Sequence, residues 1–228
     1  GGIQITGSHN PPEYNGFKMC VGTGSMHGAA IQTLYQLIVS GDFPTGKGTV
    51  RHTHVVDRYV ADMVARIGPL RRADGSRISV VYDCGNGAGA LVAPQLMQAL
   101  GVDGIGLYTE SDGTFPNHHP DPTVPENLEA LIAAVRTHGA ELGVAFDGDA
   151  DRIGVVDRDG RIIWGDHILI LYARDVLART GAGQPIIFDV KCSQALTDEI
   201  TRAGGVPVMW KTGHSLIKEK MKALHAPI

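Results

Sequence analysis

The chain is predicted to be an α/β protein whose mixed, largely parallel sheets are sandwiched by helices. Two observations carry this prediction. From about residue 50 onwards, strand-like apolar runs alternate with segments of helical periodicity. The 228 residues, 43% of them hydrophobic, also supply an ordinary core for one large or two small domains.

The elements follow in order. Ile3 to Thr6 is strand-like, and Ala29 to Val39 has helical spacing before the turn-rich stretch Ser40 to Gly48. Ile78 to Tyr82 reads as a buried strand, Gly89 to Leu100 as a helix and Gly104 to Tyr108 as the next strand. Thr123 to His138 is predicted as a helix, because Leu128, Leu131, Ile132 and Val135 recur on one face, with Thr123 and Glu126 placed for a capping box. Leu142 to Phe146 is the following strand. Ile153 to Asp157 and Arg161 to Trp164 flank Arg158-Asp159-Gly160, a hairpin-type turn. A helix is expected over Asp166 to Thr180, and Gly181-Ala182-Gly183-Gln184-Pro185 breaks the chain. Ile186 to Val190, a helix near Gln194 to Ala203, the strand Val206 to Trp210 and a terminal helix from Ser215 complete the series. No internal repeat or low-complexity tract is visible.

Composition narrows the function classes. A formal net charge of −4 and a pI near 6.2, with basic residues scattered among acidic ones, give no footprint for nucleic acid or an anionic membrane. Cys20, Cys84 and Cys192 are odd in number and widely spaced, which suits reduced thiols better than a disulfide framework or a zinc site. No apolar stretch reaches the roughly 20 residues of a membrane span, and no leader pattern is present, so a cytoplasmic location is expected. The chain opens at Gly1-Gly2 without an initiator Met and reads as an excised piece.

The chemistry concentrates in Phe146-Asp147-Gly148-Asp149-Ala150-Asp151-Arg152. Alternate residues of an extended segment point the same way, so Asp147, Asp149 and Asp151 converge and repel. A hard divalent cation with oxygen ligands, such as Mg2+, removes that repulsion. A solvated acidic turn is the bland reading, weakened by the hydrophobic run that feeds the loop and by Ile153 to Val156 leaving it. An EF-hand starting at Asp147 fails, since Arg152 and Arg158 stand where Gly and Glu are required. An aspartyl-phosphate enzyme with Asp147 as nucleophile and Asp149 two residues on stays open.

Other segments invite competing readings. Thr6-Gly7-Ser8-His9-Asn10-Pro11-Pro12 is rich in turn formers and can present Ser8 outward, either as a plain turn or as a nucleophile beside a bound metal. Lys18 follows Tyr14-Asn15-Gly16-Phe17 and can return on a neighbouring strand as a cation or proton carrier. Gly85-Asn86-Gly87-Ala88-Gly89-Ala90, with Glu110 further on, matches the spacing of a dinucleotide-binding loop, or else simply permits a tight strand-to-helix turn. His118 and His119 face different ways in extended chain and lie among prolines, so that segment reads as a structural or interdomain connection. His52, His54, His167 and His225 lack ligand spacing and read as surface or packing residues. A non-enzymatic assembly module is the third class of function, although no sequence feature points to a partner.

Four segments in order carry a resemblance: the Ser8 loop with Asn15-Gly16-Phe17-Lys18, Phe115-Pro116-Asn117-His118-His119-Pro120, Asp147 to Arg152, and Lys211-Thr212-Gly213-His214-Ser215. Together they resemble the α-D-phosphohexomutase family, most nearly its bacterial members that act on mannose and glucose phosphates, over essentially the whole chain. The resemblance implies a heart-shaped enzyme of four domains, in which a phosphoserine exchanges its phosphoryl group with a hexose phosphate by way of a glucose or mannose 1,6-bisphosphate. It implies that Ser8, Asp147, Asp149 and Asp151 hold Mg2+ and that Ser8, His9, Lys18, Arg152 and Lys191 are catalytic, with Lys18 and Lys191 as proton-transfer candidates. Asn10, Lys191 and His214 would meet the sugar phosphate. It divides the chain into residues 1–48 from the first domain, 49–158 as the second domain with the metal loop, and 159–228 from the third. Ala150 stands where the family commonly has a second glycine. The chain stops ahead of the sugar-recognition loop expected in the third domain, and most of the first domain and all of the fourth are absent from it. Little mutase activity is therefore expected of the 228 residues taken alone. Sugar preference and oligomeric state are left open.

Overall fold

The computed structural model describes residues 1–228 except His9, Pro12 and Thr23. It divides into two compact units, Gly1–Ile162 and Ile163–Ile228.

The first unit opens with an antiparallel sheet of β1 (Gly2–Ile5), β2 (Phe17–Val21) and β3 (Gly24–Ser25), followed by α1 (Ala29–Ser40). The β1 and β2 register sets Gln4 opposite Lys18, so the lysine does return on a neighbouring strand. Next come α2 (Val56–Ile67), β4 (Ser79–Asp83), α3 (Ala93–Ala99), β5 (Asp103–Leu107), α4 (Glu129–His138), β6 (Leu142–Phe146), β7 (Ile153–Asp157) and the short β8 (Ile162–Ile163). The five strands from β4 to β8 form one sheet in the order β5-β4-β6-β7-β8. β4 runs parallel to both β5 and β6, while β6 and β7 are antiparallel.

Successive side chains of a strand face opposite ways, and the core splits accordingly. Val80, Tyr82 and Val144 pack with Ala93, Leu100 and Val102 on one face, where α2 lies against α3. Val81, Ala145 and Val156 pack with Leu128, Leu131 and Val135 on the other. Each such fully buried aliphatic side chain contributes about 1.5–3 kcal/mol relative to exposure. The order of strands has a functional consequence. The chain leaves β4 for β5 on one side and returns past it to β6 on the other, which opens a crevice at the carboxyl ends of β4 and β6.

The second unit contains α5 (Gly165–Thr180), β9 (Pro185–Asp189), α6 (Gln194–Arg202), β10 (Val206–Trp210) and α7 (His214–Leu224). β9 and β10 are parallel, and Ile170, Leu177, Ile186, Phe188, Leu196 and Ile200 form the core.

Several boundaries differ from the sequence expectation. The helix expected over Gly89 to Leu100 splits into a 3-10 turn, Ala88–Leu91, and α3, because Pro94 in the first turn of α3 has no N–H to continue a helix through it. The capping box at Thr123 does not form. Asp121 Oδ1 takes both the Thr123 N–H (3.1 Å) and its hydroxyl (2.7 Å), and α4 starts only after a 3-10 turn at Pro125–Leu128. The strand expected at Arg161 to Trp164 shortens to β8. α2 was not anticipated, although Val56, Val60, Met63, Val64 and Ile67 carry a helical spacing. Among the described residues, no helix is long and apolar enough to cross a membrane.

Candidate active site

Two loops meet at the switch-point crevice. The acidic loop leaves the buried end of β6 and re-enters at β7. Asp147 is fully buried, and its Oδ1 accepts the N–H groups of Asp151 and Arg152, both at 3.0 Å. The carboxylate thus folds the loop around itself, and Ala150 N–H closes the turn on the Asp147 carbonyl at 2.9 Å. Ala150 takes a left-handed backbone with φ 57°, a conformation in which glycine is cheaper than alanine.

Carboxylate oxygens of Asp147, Asp149 and Asp151 come within 4.8 Å of one another. The Ser8 hydroxyl sits against them, donating to Asp147 Oδ2 at 3.1 Å, with Asp149 Oδ1 at 3.4 Å. Ser8 is itself left-handed, φ 53°, and its N–H donates to Thr6 Oγ1 at 2.8 Å. The Thr6 hydroxyl in turn donates to Asp149 Oδ2 at 2.8 Å and so ties the serine loop to the acidic loop. Strained backbone held by its surroundings is a common mark of functional sites.

Two cations balance the carboxylates. Arg152 Nε donates to Asp147 Oδ2 at 2.9 Å and its Nη2 to Ser8 Oγ at 3.2 Å. Lys18 Nζ lies 2.9 Å from Asp149 Oδ2 and 2.7 Å from Asp151 Oδ2. The Asp151 and Asp149 hydrogen bonds raise the Lys18 pKa above its ordinary value. Burial would raise the Asp149 carboxyl, but hydrogen bonds from Lys18 and Thr6 outweigh it and hold the group near about 2. An all-oxygen set of three carboxylates and one hydroxyl fits a hard divalent cation and offers nothing to a soft one.

Gly148 is where the supporting loops meet. A Cβ on Gly148 would lie 2.0 Å from the Ser8 carbonyl oxygen, so only glycine lets the two loops approach this closely. Its N–H donates to Pro120 O at 3.2 Å, and its carbonyl accepts Ala88 N–H at 2.9 Å.

The glycine-rich turn after β4 is therefore a support and not a dinucleotide site. Four consecutive N–H groups are consumed internally. Gly85 donates to Asp83 Oδ1, Asn86 to Tyr108 O, Gly87 to Cys84 O and Ala88 to Gly148 O, so these four do not cradle a pyrophosphate. The Glu110 carbonyl accepts from the Asn86 side chain. Both oxygens of buried Asp147 are engaged by the loop, Arg152 and Ser8.

Asn10 lines a cavity of about 290 Å³ beside Ser8, with Gln4, Tyr14, Gly113 and Phe115. His9, expected to be catalytic, lies outside the described residues. Lys191 and His214 belong to the second unit. Lys191 follows β9, with its Nζ 3.9 Å from Asp189 Oδ2, and His214 begins α7 just beyond β10. Thr212 donates to the same Asp189 Oδ2 at 3.2 Å, which places both segments at one edge of the parallel pair. Thr6, Gly148 and the Asp83–His118 pair took no part in the site read from sequence.

An α/β sheet that brings a serine hydroxyl, three carboxylates and two cations to its switch point has the equipment of a metal-assisted phosphoryl-transfer protein. Sequence models of phosphoglucomutase/phosphomannomutase α/β/α domains I, II and III match residues 1–45, 57–160 and 164–228. The chain belongs to the phosphoglucomutase/phosphomannomutase family. It is 50% identical over 224 residues to phosphomannomutase/phosphoglucomutase of Pseudomonas aeruginosa, covering 97% of this chain and 46% of that protein. It is 47% identical over 223 residues to phosphoglucomutase of Neisseria gonorrhoeae, covering 97% and 47%. A crystal structure of a phosphoglucomutase/phosphomannomutase family protein from Burkholderia thailandensis superposes with a TM-score of 0.92 at 48% identity, over 99% of this chain and 48% of that one. The chain thus spans about half the length of the curated relatives it matches.

Proposed function

We propose that this chain carries the phosphoryl-transfer centre of a phosphohexomutase that interconverts hexose 1-phosphates and 6-phosphates of the glucose and mannose series. The observation that carries the reading is the Ser8 hydroxyl, held 3.1 Å from Asp147 Oδ2 within a carboxylate triad and touched by Arg152. The names of the relatives support the substrate class: one names both sugars and the other glucose alone.

In this reading Ser8 is carried as a phosphoserine. Asp147, Asp149, Asp151 and a Ser8 oxygen would hold Mg2+, which would offset the phosphate charge. The P–O bond to Ser8 breaks as a sugar hydroxyl oxygen bonds to phosphorus, and Ser8 Oγ gains a proton. Lys18, held as an ammonium by Asp149 and Asp151, is the candidate donor of that proton, and the sugar hydroxyl proton passes to a base, for which Lys191 is the candidate. The resulting 1,6-bisphosphate turns over and returns its other phosphoryl group to Ser8. Phosphoserine and sugar phosphate each bring close to two negative charges, and the cations Arg152 and Lys18 at Ser8 and the acidic loop suit that load. Asn10 and His214 orient the substrate, and His9 assists at the serine. The domain division at residues 1–48, 49–158 and 159–228 and a cytoplasmic location, consistent with three free thiols, complete the proposal.

Incubation of the chain with glucose 1,6-bisphosphate and Mg2+, followed by intact mass and peptide mapping, tests it. One phosphoryl group on Ser8, lost in Ser8→Ala, is expected. An adduct on Asp147, or no adduct at Ser8, contradicts the reading.

A further inference from the structure

Behind the acidic loop lies a buried ion pair that the phosphoryl chemistry does not use. Asp83, at the end of β4, is fully buried. Its Oδ2 lies 3.0 Å from His118 Nε2, and its Oδ1 accepts Gly85 N–H at 2.8 Å. The other ring nitrogen of His118 lies 3.0 Å from the His119 carbonyl oxygen. A carbonyl oxygen only accepts, and so does a carboxylate. The imidazolium, in which both ring nitrogens donate, satisfies both contacts at once.

The pair links the two segments that grip Gly148. Asp83 fixes the Gly85–Ala88 turn, whose last N–H donates to Gly148 O at 2.9 Å. His118 fixes the loop that presents Pro120 O to Gly148 N–H at 3.2 Å. Pro120 Cβ and His118 Cε1 would stand 3.1 and 3.4 Å from a Cβ on Gly85, so the two segments are also in direct contact. Gly148 separates Asp147 from Asp149, and a shift of either grip moves one carboxylate relative to the other.

We infer that Asp83 and His118 form a positioning pair that keeps the acidic loop in its cation-binding arrangement by clamping both backbone groups of Gly148, an inference that rests on the metal-assisted reading above. Loss of one proton from His118 leaves a ring lone pair facing either Asp83 or the His119 carbonyl and breaks one of the two bonds. The groups shown to face His118 are Asp83 at the end of β4, Tyr108 beyond β5, whose ring stands T-shaped to the imidazole at 5.2 Å, and the His119 carbonyl in its own loop; Cys84 follows Asp83 in the chain, and Asp121 lies further along the His118 loop. Asp121 is in turn paired with Arg152 of the acidic loop. Cys84 stays a neutral thiol, its pKa pushed up to about 12 by burial and by Asp83. The hydrogen bond to Asp83 raises the His118 pKa above the ordinary 6.5, against the opposing effect of burial. Its contribution to stability is thus complete below pH 6.5 and is lost as pH rises through the raised value.

The test is Mn2+ affinity of the whole chain, by calorimetry, from about pH 6 to about pH 9, for wild type, His118→Gln and Asp83→Asn, with 15N chemical shifts of the His118 ring recorded on wild type. Wild-type affinity is expected to fall by about tenfold as the His118 ring titrates. His118→Gln is expected to bind about tenfold more weakly at the low-pH end and to show a flat profile. Wild type that binds Mn2+ with a pH profile unrelated to the His118 titration overturns the inference alone, as does a folded His118→Gln that keeps wild-type affinity. Wild type that binds no Mn2+ at the acidic loop overturns the metal-assisted reading and the inference with it.

Discussion

Gly148→Ala is expected to slow phosphoryl transfer at Ser8 by about a hundredfold while leaving a folded protein. The added Cβ would start 2.0 Å from the Ser8 carbonyl oxygen, and one of the two loops must give way. The acidic loop cannot retreat easily, because Gly148 is held by Pro120 on one side and by Ala88 on the other. Ser8 yields instead, in a backbone conformation that already costs about 1–2 kcal/mol. A displacement near 1 Å of a reacting group is enough for a loss of about a hundredfold. Overpacking of this kind lowers stability by about 1–3 kcal/mol. The rate of adduct formation by quenched-flow mass spectrometry, with thermal unfolding as control, measures both effects. An unchanged rate would show that Ser8 does not react from the position it holds here.

Asp147→Asn acts on the cation first. Removing a group behind a metal ligand costs about 10–100-fold in affinity, and losing a charged ligand itself costs more, so Mg2+ binding is expected to weaken by at least about a hundredfold, close to 3 kcal/mol. The amide oxygen can keep the N–H bonds from Asp151 and Arg152, but the amide NH2 then faces Arg152 Nε and the Ser8 hydroxyl, where a carboxylate oxygen now accepts. Isothermal titration with Mg2+ resolves this, and binding at wild-type strength would remove Asp147 from the ligand set. The two variants separate the components of the site. Gly148→Ala should spare cation affinity more than transfer rate, whereas Asp147→Asn should lose both.

Much of this site was legible from residue types. Three carboxylates at alternate positions after an apolar run announce convergence, and the turn formers around Ser8 announce an exposed hydroxyl. The return of Lys18 on a second strand also follows from the turn formers between the two strand-like runs. What could not be read is the long-range pairing of loops. Ser8 and Asp147 are 139 residues apart, and Asp83 and His118 are 35 apart, with no local signal that joins them. The glycines at 85 and 87 fit a dinucleotide turn by spacing, and only the destinations of their N–H groups reveal a scaffold. His118 and His119 do part ways as adjacent residues should, one half-buried against Asp83 and the other exposed. α2 could have been found, since its apolar spacing is regular, but its many charged residues hide it among the turn-rich segments beside it.

Crystals of the chain soaked in Mn2+ and measured at the manganese edge test the central claim most directly. The account predicts one anomalous peak in contact with carboxylate oxygens of Asp147, Asp149 and Asp151 and with the Ser8 side-chain oxygen. A peak at other residues, or one on the carboxylates with Ser8 out of reach, would contradict it.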